Sequence, residues 1–128
     1  MIIETSAIVA ILLKEPGYEQ LMEKVGQAGV VGVGTPTLTE AGIVLTARLG
    51  PLGMSMLGRF IQESGLIVVP FGSPHWGIAV DAFDRFGKGR HPAALNFGDG
   101  MSYATARLAK QPLLAVGQDF VQTDLELA

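Results

Sequence analysis

Four acidic residues, Glu4, Glu40, Asp99 and Asp119, stand beside apolar segments that are typical of buried strands and helices. Carboxylate oxygens are the ligands that Mg²⁺ and Mn²⁺ prefer, and such ions can activate water for attack on a phosphodiester. If folding brings the four acids together, their repulsion has to be offset by cations or by raised pKa values. Their types therefore indicate a metal-dependent site, provided that the fold makes them converge.

The composition restricts the metals and partners that are possible. The 128 residues include no cysteine and two histidines, which excludes disulfides and thiolate zinc sites and leaves oxygen as the main metal ligand. The formal net charge of −3 argues against binding nucleic acid through bulk charge, so that role needs a local basic patch or bridging metal ions. The length favours one domain, residues 1–128, and without a membrane-length apolar run or a basic leader we expect a soluble, cytoplasmic protein.

Apolar runs of two kinds alternate along the chain and predict strands alternating with helices. The predicted strands are residues 2–3, 30–33, 66–70 and 113–116, and the residues around Thr123 and Asp124 would add a short edge element. Thr5 or Ser6, Thr35-Pro36 and Ser73-Pro74 are typical of helix starts. The helix that carries Glu40 is apolar nearly all round, which predicts burial on more than one side. This alternation predicts a parallel sheet with helices on both faces.

The predicted topology places the four acids at one edge of the sheet. Glu4 follows the first strand and Asp119 follows the fourth, so both project from the carboxyl edge. Asp99 lies at the start of the helix before the fourth strand, and Glu40 about one turn into the helix after the second. Ligands of open α/β sheets bind at this edge, so we expect the four carboxylates to form one site.

Each of these residues also has a simpler structural explanation. Asp99 could only interact with the helix dipole, worth roughly 0.3–1 kcal/mol, and Asp119 could close an Asx turn. Glu4 could face solvent, whereas Glu40 is harder to dismiss because glutamate is seldom buried unpaired. The basic residues Arg85, Lys88 and Arg90 are either a solvated loop or a patch that contacts phosphates.

Several segments together resemble the motifs of PIN-domain proteins, most closely the VapC-type toxins of bacterial toxin–antitoxin pairs. The segments are Ile2-Ile3-Glu4-Thr5-Ser6-Ala7, Thr39-Glu40, residues 87–99, Pro112-Leu113-Leu114, Gly117-Gln118-Asp119-Phe120 and Thr123-Asp124. The resemblance covers essentially the whole chain, and residues 88–99 are its most specific part. It implies an α/β fold of the PIN-like three-layer α/β/α type, with a central, mainly parallel sheet of four to five strands.

The resemblance also implies a function, namely cleavage of RNA with Mg²⁺ or Mn²⁺, dimerisation, and neutralisation by a VapB-type antitoxin. Carried over by position, it implies metal and catalytic roles for Glu4, Glu40 and Asp99, and a weaker one for Asp119. In this hypothesis Thr5 or Ser6 orients a metal-bound water or a carboxylate. Phosphate contacts are expected from the basic residues Arg85, Lys88 and Arg90.

One departure from the family pattern keeps other functions open. The first acid of this family is normally aspartate, and Glu4 is longer by one methylene, which can displace a metal that needs near-ideal octahedral geometry. The alternative is a catalytically weakened domain that serves mainly to bind an antitoxin or another partner. A third hypothesis is a metal-dependent phosphatase or structure-specific nuclease of similar fold.

Overall fold

Four short parallel strands form the centre of the molecule. The computed structural model describes all 128 residues, Met1 to Ala128. The strands are β1 (Ile2–Ile3), β2 (Gly32–Gly34), β3 (Ile67–Val69) and β4 (Leu113–Leu114), in the order β3-β2-β1-β4. Every neighbouring pair is parallel. The predicted parallel sheet is therefore confirmed. Thr123 and Asp124 lie in a bend rather than in the predicted edge element, and the end of the chain contributes only an isolated parallel bridge between Leu113 and Leu127.

Six helices connect the strands in pairs. They are α1 (Thr5–Leu12), α2 (Tyr18–Gln27), α3 (Thr35–Leu49), α4 (Pro51–Glu63), α5 (Ser73–Phe86) and α6 (Phe97–Ala109). Two helices follow each of the first three strands before the chain returns to the sheet. None of the six is both long enough and apolar enough to cross a membrane.

Two apolar clusters lie on opposite faces of the sheet, because successive side chains of a strand point to opposite sides. Ile3 belongs to the cluster that includes Ile8 of α1 and Leu45 of α3. Ile2 belongs to the other cluster, with Phe86 of α5 and Tyr103 of α6. The sheet therefore lies between two helical layers, which confirms the predicted α/β/α architecture.

The helices begin differently from the prediction. Glu4, not Thr5 or Ser6, is the N-cap of α1, because it leaves the strand in an extended conformation and its long side chain folds back to accept the amide of Ser6. Glycines precede α3 and α5, and Thr35 uses its hydroxyl to accept the amide of Phe71 instead of capping its own helix. The sequence signals located the helix starts to within a residue but assigned the wrong capping groups.

The helix α3 is buried on more than one side, as predicted, but one of its faces is open. Ala41 and Leu45 are fully buried, but Ile43 is 66% exposed, because α3 packs against α1, α4 and α6 and leaves its remaining face open. Glu40 therefore lies at the border between the packed and open faces, half-buried.

Candidate acidic metal site

Three of the four predicted acids line one cavity of about 310 Å³ at the carboxyl edge of the sheet, called here the acidic cavity. Glu4 enters it from the end of β1, Glu40 from α3 and Asp99 from the start of α6. The remaining lining residues are polar or β-branched: Thr5, Ser6, Val9, Glu15, Val44, Asn96 and Val116. The fold thus brings residues more than ninety positions apart in the sequence into one site, as the predicted topology requires.

The Glu4 side chain is held in place by Ser6, two residues further along the chain. Both the backbone amide and the hydroxyl of Ser6 donate to Glu4 Oε2, at 2.8 Å and 2.5 Å, and Ser6 Oγ also accepts the amide of Val116 after β4. Glu4 is only 4% exposed, and burial raises its pKa although the Ser6 hydrogen bonds act in the opposite direction. The negative charges of Asp99 and Glu40 raise it further. Oε1 receives no hydrogen bond from the protein and remains available to a ligand.

Asp99 both caps α6 and lines the cavity. The Asn96 amide donates to Asp99 Oδ2 at 3.0 Å, and the Asp99 amide donates to Asn96 Oδ1 at 2.9 Å, which is a reciprocal capping box. Burial raises the pKa of Asp99 against the lowering effect of the Asn96 amide, and the charges of Asp119 and Glu40 add to the rise. Asp99 Oδ2 is therefore used in a capping box, which the sequence analysis did not predict, while Oδ1 is left without a protein donor.

Glu40 has no hydrogen bond to the protein, unlike the other two acids. Its carboxylate lies against Gly98 at the beginning of α6, next to Asp99. Its charge contributes to the raised pKa of both Glu4 and Asp99, which shows that the three groups interact.

Asp119 does not line the cavity. It is exposed in the turn after β4, where Gly117 has a positive φ of 92°. Asp119 is nevertheless near enough for its charge to raise the pKa of Asp99. It belongs to the electrostatic surroundings of the cavity rather than to its wall.

Thr5 contributes the one buried side-chain oxygen of the chain that lacks any hydrogen-bond partner. The residue is 7% exposed and lines the cavity beside Glu4, but its Oγ1 has almost no accessible surface. A buried hydroxyl without a partner costs about 1–3 kcal/mol, so Thr5 lowers the stability of the fold at this position. Ser6, in contrast, is committed to Glu4 and the end of β4.

The basic residues lie outside the cavity wall. Arg85 pairs with Asp81 and Asp124, and Arg90 pairs with Asp84, so both charges are already partnered within the chain. Lys88 forms no ion pair and is exposed in the loop that leads to Asn96. Of the three, only Lys88 has a charge free for a phosphate.

Two polar residues of the cavity were not predicted as site residues, Asn96 and Glu15. The Asn-x-x-Asp spacing of residues 96–99 is a capping-box signal and could have identified Asn96. Glu15 follows the end of α1, and its sequence context, Lys14-Glu15-Pro16-Gly17, indicates only that a helix ends there.

The donor groups fit a hard, hydrated cation rather than a closed protein cage. No three histidine, aspartate or glutamate side chains are arranged so that they could hold one ion between them. Mg²⁺ does not require such an arrangement, because it keeps several waters and typically uses one or two carboxylates plus substrate phosphates. The free Glu4 Oε1, the free Asp99 Oδ1 and the Glu40 carboxylate are oxygen donors of the type that this ion and its waters require.

The fold and the acidic cavity agree with comparison to known proteins. The PIN domain family model matches residues 1–126, and the chain belongs to this family. It is 50% identical over 131 residues to Ribonuclease VapC36 of Mycobacterium tuberculosis, covering 98% of this chain and 91% of the relative. It is 39% identical over 125 residues to Ribonuclease VapC of Mycolicibacterium smegmatis, covering 98% and 97%.

A solved structure shares the fold at low sequence identity. The crystal structure of Mycobacterium tuberculosis VapC20, a sarcin-ricin loop cleaving toxin, superposes with a TM-score of 0.81 at 16% identity, covering 99% of this chain and 97% of that one. The VapBC2 structure from Rickettsia felis, solved with promoter DNA, gives 0.79 at 15% identity, with 99% and 96% covered. These likenesses show a common PIN architecture.

Proposed function

We propose that this protein is a metal-dependent endoribonuclease that acts in the cytoplasm as the toxin of a VapBC-type toxin–antitoxin system. The observation that carries the proposal is the acidic cavity, in which Glu4, Glu40 and Asp99 meet at the carboxyl edge of the sheet. Two of the three have pKa values raised by burial and by one another's charges. Such a cavity is unfavourable by itself and becomes favourable when a divalent cation binds. The relatives named as VapC ribonucleases support RNA as the substrate.

The protein's own groups have separate roles in this proposal. Mg²⁺ or Mn²⁺ supplies charge neutralisation for a phosphodiester and lowers the pKa of a water molecule. Glu4 and Asp99 offer one free oxygen each, and Glu40, whose carboxylate has no hydrogen bond to the protein, would complete the set of ligands. Ser6 holds Glu4 in its rotamer, and the buried Thr5 hydroxyl would have to turn into the cavity to bind a water there. Hydrolysis would form a bond from phosphorus to the water oxygen, which gives up a proton, and break the bond to the leaving oxygen of the RNA strand, which takes up a proton.

Four charged residues lie outside the wall of the acidic cavity: Asp119, Lys88, Arg85 and Arg90. Asp119 would adjust the electrostatic potential around Asp99 from the turn after β4, rather than act as a direct ligand. Lys88 would contact a backbone phosphate beside the cavity. We assign no phosphate contact to Arg85 or Arg90, because their ion pairs would have to break first.

The test is cleavage of a structured RNA with Mg²⁺ or Mn²⁺. We expect Asp99→Asn and Glu40→Gln each to lose activity, and Glu19→Gln, an exposed acid of α2 outside the cavity, to retain it. Equal activity in all four proteins would contradict the proposal. Removal of the metal with EDTA should abolish cleavage, and either ion added back should restore it.

A second candidate, a catalytically weakened domain that mainly binds partners, is favoured by one observation. Glu4 spends Oε2 on two hydrogen bonds from Ser6 as the cap of α1, so it presents a single oxygen from a longer side chain. Glu4→Asp separates the two functions. A large gain in cleavage would mean that the natural site is impaired, and cleavage by neither protein would favour the binding role.

The proposed partners are a VapB-type antitoxin and a second copy of the chain. The solved relatives include toxin–antitoxin complexes from Rickettsia felis and Klebsiella pneumoniae. Two apolar surfaces are open in this chain. One is a cavity of about 430 Å³ between α5 and α6, which includes Phe83 and Phe97, and the other is a groove of α1, α2 and α4, which includes Met22 and Phe60. Light scattering with and without the co-expressed antitoxin measures both associations.

A further inference from the structure

We infer that Gly98 is a positioning residue for Glu40. Its missing side chain leaves the space in which the Glu40 carboxylate rests on the first turn of α6, beside Asp99. The inference deepens the proposed function and rests on it. It concerns a residue that contacts neither metal nor RNA and acts only through another side chain.

The space at Gly98 is filled by Glu40 itself. A Cβ atom built on Gly98 would lie 2.7 Å from Glu40 Oε2 and 3.3 Å from Glu40 Cδ. The first distance is shorter than a non-bonded contact between carbon and oxygen allows, so any side chain at position 98 has to displace the carboxylate. The displaced group is the end of a flexible side chain, so the backbone can stay where it is.

No other feature of position 98 requires glycine. The residue lies inside α6 and does not have a positive φ, so its backbone conformation suits any L-amino acid. Glycine in the middle of a helix is less stable than alanine by roughly 0.5–1 kcal/mol, and at Gly98, the second residue of α6, alanine is still the better helix former. The chain therefore carries a locally unfavourable residue at the one place where Glu40 meets α6, and local costs of this kind are expected at functional sites.

Glu40 is placed by this contact because nothing else holds its carboxylate. It has no hydrogen bond to the protein, whereas the positive end of the α6 dipole attracts it towards the first turn. The distance between α3 and α6 is set one turn away, where Thr37 and Ser102 form a buried hydrogen bond of 3.2 Å. Thr37 lies three residues before Glu40 and Ser102 four after Gly98, so each pair shares one helix face. The helices cannot move apart to admit a methyl group without breaking that bond.

The experiment compares Gly98→Ala with Gly100→Ala, a matched control in the same helix. Both changes raise the helix propensity of α6, but a Cβ at Gly100 would have as its nearest neighbour the Ala79 carbonyl oxygen at 3.4 Å, an ordinary contact. We expect Gly98→Ala to fold with a melting temperature no lower than wild type. Its Mn²⁺ affinity, measured by titration calorimetry, should fall about 10–100-fold, the range typical when a group that orients a metal ligand is changed. Gly100→Ala should bind Mn²⁺ like wild type.

A rescue variant distinguishes repositioning from general damage. Gly98→Ala combined with Glu40→Asp shortens the displaced side chain by one methylene, and it should bind Mn²⁺ more tightly than Gly98→Ala alone. Wild-type Mn²⁺ affinity in Gly98→Ala would overturn the inference, and so would a double variant no better than the single one. RNA cleavage by wild type against Asp99→Asn tests the proposed function separately. An active wild type with an unaffected Gly98→Ala would reject the role of Gly98 and leave the ribonuclease intact.

Discussion

The acidic cavity and the surroundings of Asp124 both contain carboxylates, but the pKa values shift in opposite directions, upwards in the cavity and downwards at Asp124. Asp124 accepts hydrogen bonds from the Tyr103 hydroxyl at 2.7 Å, from Arg107 at 2.6 Å and from Arg85 at 3.1 Å, an arrangement called here the Asp124 clasp. Burial alone would raise the pKa of Asp124, but the hydrogen bonds from Tyr103 and Arg85 and the charges of both arginines lower it overall. In the acidic cavity, burial outweighs the few donors and the pKa values rise.

The opposite pKa shifts distinguish Asp124, whose ionised form stabilises the fold, from the carboxylates of the acidic cavity, whose ionised forms destabilise it. The clasp joins the end of the chain to α5 and α6 with every oxygen of Asp124 paired, so ionisation favours the folded state. Four carboxylates line the acidic cavity, those of Glu4, Glu15, Glu40 and Asp99, and no lysine or arginine is among the residues that line it. Ionisation there opposes folding until a ligand compensates, which is the usual compromise between stability and activity.

The strongest test of the difference between the two regions is to replace one acid in each by its uncharged amide. Asp99→Asn should lower RNA cleavage by at least about 100-fold, since even groups that only orient a metal ligand cost about 10–100-fold. It should also raise the melting temperature of the metal-free protein, because a buried charge is removed while the amide oxygen still caps α6. Asp124→Asn should leave the cleavage rate per folded molecule unchanged and destabilise by about 1–2 kcal/mol. Cleavage assays and thermal denaturation in EDTA measure both effects.

A loss of stability in Asp99→Asn as large as that in Asp124→Asn would contradict the distinction. Asp84→Asn is a suitable control, because this exposed acid of α5 pairs only with Arg90 at the surface. Exposed pairs contribute about 0–1 kcal/mol, so this variant should change neither property much.

The pH dependence of stability should have two limbs with opposite signs. Glu4 and Asp99 have folded-state pKa values above the ordinary values of 4.5 and 3.8, so the folded protein binds their protons more tightly than the unfolded chain does. Their contribution to the free energy of unfolding therefore falls as the pH rises through the interval from those ordinary values to the raised ones. Asp124 has a lowered pKa, so its contribution is present above 3.8 and is lost as the pH falls through the folded-state value.

Urea denaturation in EDTA across acidic and neutral pH resolves the two limbs. The double variant Glu4→Gln, Asp99→Asn should flatten the decline towards neutral pH, and Asp124→Asn should flatten the loss at low pH. Added Mg²⁺ should reverse the decline in wild type but not in the double variant. If the wild-type curve rises steadily to pH 7 without metal, the acidic cavity does not destabilise the fold.

The carboxyl-edge rule predicted the convergence of Glu4, Glu40 and Asp99, because it depends only on the order of strands and helices. It failed to predict that Asp119 lies outside the cavity wall, since the turn at Gly117 decides where that side chain points. Local spacing likewise cannot reveal that Arg85 is committed to Asp124, thirty-nine residues away. The role of Gly98 depends on a contact between two helices that the sequence does not indicate.

The smallest expected effect tests whether the unpartnered Thr5 hydroxyl belongs with the cavity or merely reflects imperfect packing. Thr5→Val keeps the shape of the side chain and removes the buried oxygen that has no partner. The metal-free protein should become more stable by about 1 kcal/mol, because the desolvation cost of the hydroxyl disappears. The stabilisation that Mg²⁺ provides, measured as a shift in melting temperature, should decrease, because a water in the cavity loses one partner.

A matched change in the clasp, Tyr103→Phe, should do the reverse and destabilise the protein, since the Tyr103 hydroxyl is paired with Asp124. If Thr5→Val left both the metal-free stability and the Mg²⁺ shift unchanged, the hydroxyl would have no ligand to serve.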